Sequence, residues 1–159
     1  MPSRPRPASG ARAQRPLWQC PKCGRWFVTR NLSHSCARYP LARHFRGKPR
    51  ARVLFDAFRA AVEAIGPVRV VPNKTRIAFM VRVRFTCVVS VREDSLRCSI
   101  WLTRRVASKR WVREDKYGPH CYVYLFELRS PRDLTAEIRR YLRESYDVGC
   151  QRHLAGLAR

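Results

Sequence analysis

Acidic residues are missing from the first third of this chain. None of the 11 Asp and Glu residues precedes Ala51, whereas 12 of the 34 Lys and Arg residues do. The full 159 residues carry a formal charge of +23, with a pI of 11.3. A charge of that size repels itself and is best sustained beside a polyanion, so nucleic acid is the expected partner. Other absences narrow the class. No apolar run has membrane-spanning length and no apolar signal core opens the chain, so membrane and secretory roles are not expected. The Arg-rich start has the look of an organellar transit segment, but Pro2, Pro5, Pro7 and Pro16 break the amphipathic helix such a segment needs. A paired set of cysteines is lacking as well. The count is seven, and Cys87, Cys98, Cys121 and Cys150 stand singly, which argues against a disulfide framework and for a reducing, cytoplasmic compartment. There is no Gly-rich phosphate loop, Ser-His-Asp order or pair of carboxylates, so catalysis is not expected; an enzyme would have to use Lys74 or His120.

What is present begins with Cys20-Pro21-Lys22-Cys23-Gly24, closed by His34-Ser35-Cys36. Two cysteines two residues apart, with proline between and glycine after, describe a tight turn that aims both sulfurs at one point. His34 and Cys36 complete a four-ligand shell suited to structural Zn²⁺, with no open coordination position. His34-x-Cys36 is tighter than usual ligand spacings, and His44 is a competing ligand of second rank. The segment between the pairs, Trp26-Phe27-Val28, reads as a strand that supplies the module's interior. So short a unit needs its metal to fold.

Around this module the chain divides into a disordered basic arm (1–16), the zinc-binding module (17–38), a linker (39–48), an α+β domain (49–148) and a C-terminal tail (149–159). Pro49 opens a helix whose apolar stripe is Val53, Leu54, Ala57, Phe58, Ala61, Val62 and Ile65, ended by Gly66-Pro67. A short strand covers Val68 to Val71. From Ile77 to Val91 every odd position is apolar, which predicts one buried face on two strands folded at Arg82–Arg84. Leu96 to Leu102 alternates again, and His120 to Leu128 reads as a centrally placed strand. Arg104 to Gly118 is unpatterned and reads as a long loop or irregular hairpin. Ser130-Pro131-Arg132-Asp133 announces a last helix ending near Gly149. The expected fold is a two-layer α+β domain with about five antiparallel strands, flanked on one face by an N-terminal and a C-terminal helix. Arg82, Arg84, Arg92, Arg97 and Trp101 would lie on the opposite face.

Nucleic acid would be held by phosphate contacts and aromatic stacking. The candidates are Lys22, Arg25 and Arg30 in the module, Arg82 and Arg84 on the sheet, and Arg104, Arg105, Lys109, Arg110, Trp111 and Arg113 in the loop. The alternative is a protein–protein adaptor with a structural zinc.

Some residues match a known pattern: Leu54-Phe55-Asp56, Pro72-x-Lys74-Thr75-x-Ile77-Ala78-Phe79, Phe85 with Val88, and Leu142-Arg143-Glu144-Ser145-Tyr146. On these the region from Pro49 to about Gln151 resembles a small bacterial family catalogued as domain of unknown function 5655. Members of this type carry a similar Cys-x-x-Cys-Gly-Arg…His-Ser-Cys module in front. The resemblance implies an α+β domain behind a zinc-ribbon-like element and brings no catalytic residue with it. Lys74 and Thr75 belong to the motif without an assigned role.

Overall fold

The computed structural model describes residues 16–155. Apart from Pro16, the expected basic arm lies outside them, as does the end of the C-terminal tail. Two short strands, β1 (Trp18–Gln19) and β2 (Trp26–Phe27), pair antiparallel to form the N-terminal module. The segment expected to be a linker holds a 3₁₀ turn, Leu41–Phe45, and it is packed down. The Phe45 ring lies 4.9 Å from that of Phe55.

Pro49 presets the first turn of α1 (Pro49–Glu63), and Leu54, Phe55, Phe58, Ala61 and Val62 form its buried stripe. Val53, expected on that stripe, falls just outside it and is 61% exposed. Solvent-facing pairs one turn apart, Arg52 with Asp56 (3.0 Å) and Arg59 with Glu63 (2.7 Å), decorate the outer face.

Six strands follow: β3 (Arg69–Pro72), β4 (Ile77–Met80), β5 (Arg84–Val91), β6 (Leu96–Leu102), β7 (Arg113–Gly118) and β8 (Cys121–Leu128). They form one antiparallel sheet in the order β3-β4-β5-β6-β8-β7. The expected five strands become six because Arg113–Gly118, inside the unpatterned segment, pairs with β8 as an edge strand. Its sequence, Arg-Glu-Asp-Lys-Tyr-Gly, shows no apolar alternation. It needs none, because charge on an edge strand discourages further pairing.

The unbroken odd-numbered apolar run does not lie on one face. Ile77 pairs with Val88 and Phe79 with Thr86, so the register sets odd positions of β4 beside even positions of β5. Two irregularities, one between Phe79/Met80 and one between Val88/Ser90, then shift the pairing. Phe85 and Val89 are the extra residues at these bulges, which re-aim the chain. Ile77, Phe79, Phe85, Val88 and Val91 therefore pack in the core, while Cys87 and Val89 line a hollow on the other face.

Ser130 begins only a 3₁₀ turn, Pro131–Asp133, through a reciprocal cap with Asp133. The last long helix, α2 (Ala136–Gly149), starts at Thr135, whose hydroxyl accepts from Ile138 N–H at 3.3 Å. Helices α1 and α2 both contribute to the core on one sheet face. Phe58 meets Phe79 edge-on at 5.3 Å, and Phe85 meets Tyr146 likewise at 5.3 Å. Buried Ser145 donates to Phe85 C=O at 2.6 Å and accepts from Trp101 N–H at 3.0 Å, satisfying groups the ladder leaves open. Gly149 allows close approach: a Cβ there would stand 2.7 Å from Phe85 Cβ. The tail folds into a short helix, α3 (Arg152–Ala155). Among the described residues no helix is long and apolar enough to cross a membrane.

Candidate metal centre and basic cleft

The first cysteine pair is shaped by its own backbone. Gly24 N–H donates to Cys20 C=O at 2.8 Å and Cys20 N–H to Arg25 C=O at 2.9 Å. Gly24 sits at φ +71°, a conformation open to glycine with little strain. This knuckle brings Cys20, Cys23, His34 and Cys36 together, with ligand atoms all within 4.8 Å of one another. Cys20 Sγ is 3.7 Å from Cys36 Sγ, and His34 Nε2 is 3.2 Å from Cys23 Sγ and 3.4 Å from Cys36 Sγ. A tetrahedral shell with ligand bonds of about 2.0–2.3 Å has edges of about 3.5–3.8 Å, so the cluster can hold a metal ion with small adjustment. His34 Nδ1 lies 2.7 Å from Leu32 C=O, which fixes the tautomer and leaves Nε2 free to ligate. The tight His34-x-Cys36 spacing is therefore no obstacle. His44 is not in the cluster; its Nε2 contacts Asn73 C=O at 2.8 Å.

The three thiols differ in their ease of ionisation. Backbone N–H of Cys23 holds Cys20 below the ordinary thiol range. Burial raises Cys23, but the Arg25 N–H and neighbouring groups outweigh it and leave it lowered. Burial and the two other sulfurs push Cys36 up to about 11. Three sulfurs this close disfavour one another's charge, and a bound cation would relieve that repulsion.

Inside the module Phe27 lies against the His34 ring at 4.3 Å and against Trp18 at 6.0 Å. Trp26 and Val28 alternate with Phe27, so they are not the interior expected for them. They face outward and are 38% and 52% exposed. They form one wall of a cleft of about 620 Å³ between the module and the open face of the sheet. Arg25 latches the two walls, donating to Ser35 C=O and Ala37 C=O (both 3.0 Å) and to Asn73 Oδ1 (3.3 Å). Lys74, Thr75, Arg76, Arg84 and Trp101 line the sheet side. The Arg84 guanidinium lies 4.7 Å from the Trp101 ring centre. Burial depresses the Arg84 pKa from its ordinary value, and none of the charges acting on it is a carboxylate. Among the described residues no Asp or Glu lines the cleft. The floor continues across Arg76, Arg84 and Trp101 into a second hollow with Tyr117 and Cys121, where Asp115 pairs with Arg113 at 2.9 Å.

The basic segment after β6 is arranged differently. Arg104 pairs bidentately with Glu144 (2.9 and 3.0 Å), Arg105 with Glu114 (2.9 Å) and Arg110 with Asp133 (3.3 Å). Trp111 stacks on Tyr124 at 4.8 Å, meets Tyr141 at 5.3 Å, and donates its Nε1–H to Val106 C=O at 3.3 Å. Its ring packs against the core and is partly buried. Elsewhere Lys22, Arg30 and Lys109 are exposed, Arg82 donates to Gln151 Oε1 at 2.6 Å, and His120 sits in the exposed β7–β8 turn. Trp26, Arg76 and Trp101 complete the cleft without having been singled out for it. The available signals were the adjacency of Arg76 to Lys74-Thr75 and the shared sheet face of Trp101 and Arg84.

A family model described as Domain of unknown function (DUF5655) matches residues 42–149. No curated protein and no solved structure matches the chain.

Proposed function

The chain belongs to the family described as Domain of unknown function (DUF5655); that description names no activity, and from the molecule's own surface we propose a nucleic-acid-binding module stapled by one structural Zn²⁺. The observation that carries this reading is the cleft: four cations, Arg25, Lys74, Arg76 and Arg84, stand beside Trp26 and Trp101 with no carboxylate among the lining residues. Cations that face no carboxylate attract phosphate, and partly exposed indoles offer stacking. Lys74 and Thr75, at the rim, act as phosphate contacts rather than as catalytic groups. Three thiolates and an imidazole suit Zn²⁺, and four protein ligands make its role structural: it folds the wall that carries Trp26 and Val28.

Binding of the full chain to duplex DNA, single-stranded DNA and RNA, titrated with salt, tests this. About four phosphate contacts give a log–log slope of about −3. A flat salt response, or no binding at low salt, sinks the reading. Metal analysis of protein purified without chelator should find one zinc per chain. The second reading, a protein adaptor, draws support from exposed Val28 and Leu32. Pull-down after nuclease treatment separates the two: partners that persist favour the adaptor.

A further inference from the structure

We propose that the cleft between the metal module and the open face of the sheet takes an unpaired strand, with bases inserted between its walls and phosphates on its basic rim. This inference rests on the nucleic-acid reading above and goes further, because it commits to a single-stranded ligand and to the residues that distinguish it from a duplex.

The composition of the walls carries it. On one side stand Trp26, Val28 and Leu32, all partly exposed although apolar. Across from them lies Trp101 with the Arg84 guanidinium over its ring. A duplex presents phosphates outward and keeps its base faces stacked inside, so an apolar wall contributes nothing to holding it. An unpaired strand exposes base faces, and those are the surfaces that indoles and guanidinium planes accept. The size agrees: about 620 Å³ is in the range that encloses small ligands and far below what a duplex occupies.

The cations are placed to match. Lys74 and Arg76 flank Thr75 in the turn from β3 to β4, at the cleft's edge, and both are exposed. Arg84 is set deeper and partly desolvated, where a cation over an indole is held more strongly. An acidic peptide would find the same charges but could not use the indoles of Trp26 and Trp101 in the same way. The second hollow shares Arg76, Arg84 and Trp101 with the first and adds Tyr117, which is 71% exposed. A strand leaving the cleft this way therefore meets another exposed ring on the β7 edge strand.

The test uses the zinc-loaded full chain and three labelled probes: a short oligothymidylate, a hairpin duplex with the same number of phosphates, and a strand of that length carrying abasic sites. Oligothymidylate is expected to bind about tenfold or more tighter than either of the others. Trp101→Ala and Trp26→Ala should each reduce that preference, while Trp101→Phe retains most of it, which separates lost stacking from lost folding. If duplex and oligothymidylate bind equally, or the abasic strand matches oligothymidylate, the single-strand inference is overturned while the broader nucleic-acid reading stands. If none of the three binds, both fall.

Discussion

Two surfaces of this molecule are rich in arginine and tryptophan, and their charges meet opposite ends. Between residues 104 and 115 each of four arginines is engaged by a carboxylate of the same chain, and Trp111 is turned into the core. In the cleft Arg25 is engaged by carbonyls, Arg84 rests on Trp101, and no carboxylate lines the walls. Exposed pairs of the first kind add little stability, about 0–1 kcal/mol each, but they cancel the local field. Charge counted along a sequence is therefore not charge available to a partner. In the cleft no lining carboxylate offsets the cations.

The contrast can be broken most severely at the Cys/His cluster. Cys23→Ser removes a ligand whose site is worth on the order of 10 kcal/mol to a small module. Zinc content should fall well below one per chain and oligonucleotide binding should vanish with the cleft wall, while circular dichroism still reports the α+β domain. Unchanged binding by this variant would show that the wall is irrelevant. Next in size, Trp111→Ala should cost about 3 kcal/mol in urea unfolding by opening a hole against Tyr124 and Tyr141. Its oligonucleotide affinity, measured well below the transition, should not move; a parallel loss of affinity would return Trp111 to the contact surface. Smaller still, Arg76→Ala should weaken binding about five- to tenfold with stability unchanged within about 0.5 kcal/mol, whereas Arg113→Ala should alter affinity by less than about twofold.

The least effect concerns pH. Burial holds His44 below its ordinary 6.5, with Arg43 and Lys48 also disfavouring its charge against the opposing contact with Asn73. A depressed native pKa means the stabilisation is complete above 6.5 and is lost as pH falls through the native value. Thermal scans on the acid side of neutrality should show a small loss of stability, reduced in His44→Gln.

The Cys/His cluster and α1 were legible in the sequence because both are local patterns: a turn between two cysteines, and a stripe repeating with the helical period. The sheet was legible in its strands but not in its faces. Nothing in the run from Ile77 to Val91 marks Phe85 and Val89 as bulge residues, and only the register reveals that Cys87 and Val88 point opposite ways. The β7 strand was hidden because its pairing with β8 stands on backbone hydrogen bonds, not on apolar alternation. For the site, Arg25, Arg84, Lys74 and Thr75 were nominated separately, but the cleft is assembled from segments around residues 28, 75 and 101. Their convergence is a tertiary fact. The same holds for the four arginines after β6, three of whose acids come from Glu144, Asp133 and the β7 residue Glu114.

One side-by-side measurement bears most directly on the central claim: salt-titrated binding of a labelled single strand to the zinc-loaded full chain and to Arg84→Ala and Arg105→Ala. Arg84→Ala should lose about tenfold in affinity and its salt slope should fall by about one, while Arg105→Ala should bind like the parent chain. The reverse pattern, with Arg105→Ala weakened and Arg84→Ala unaffected, would contradict it and return the contact surface to the segment after β6.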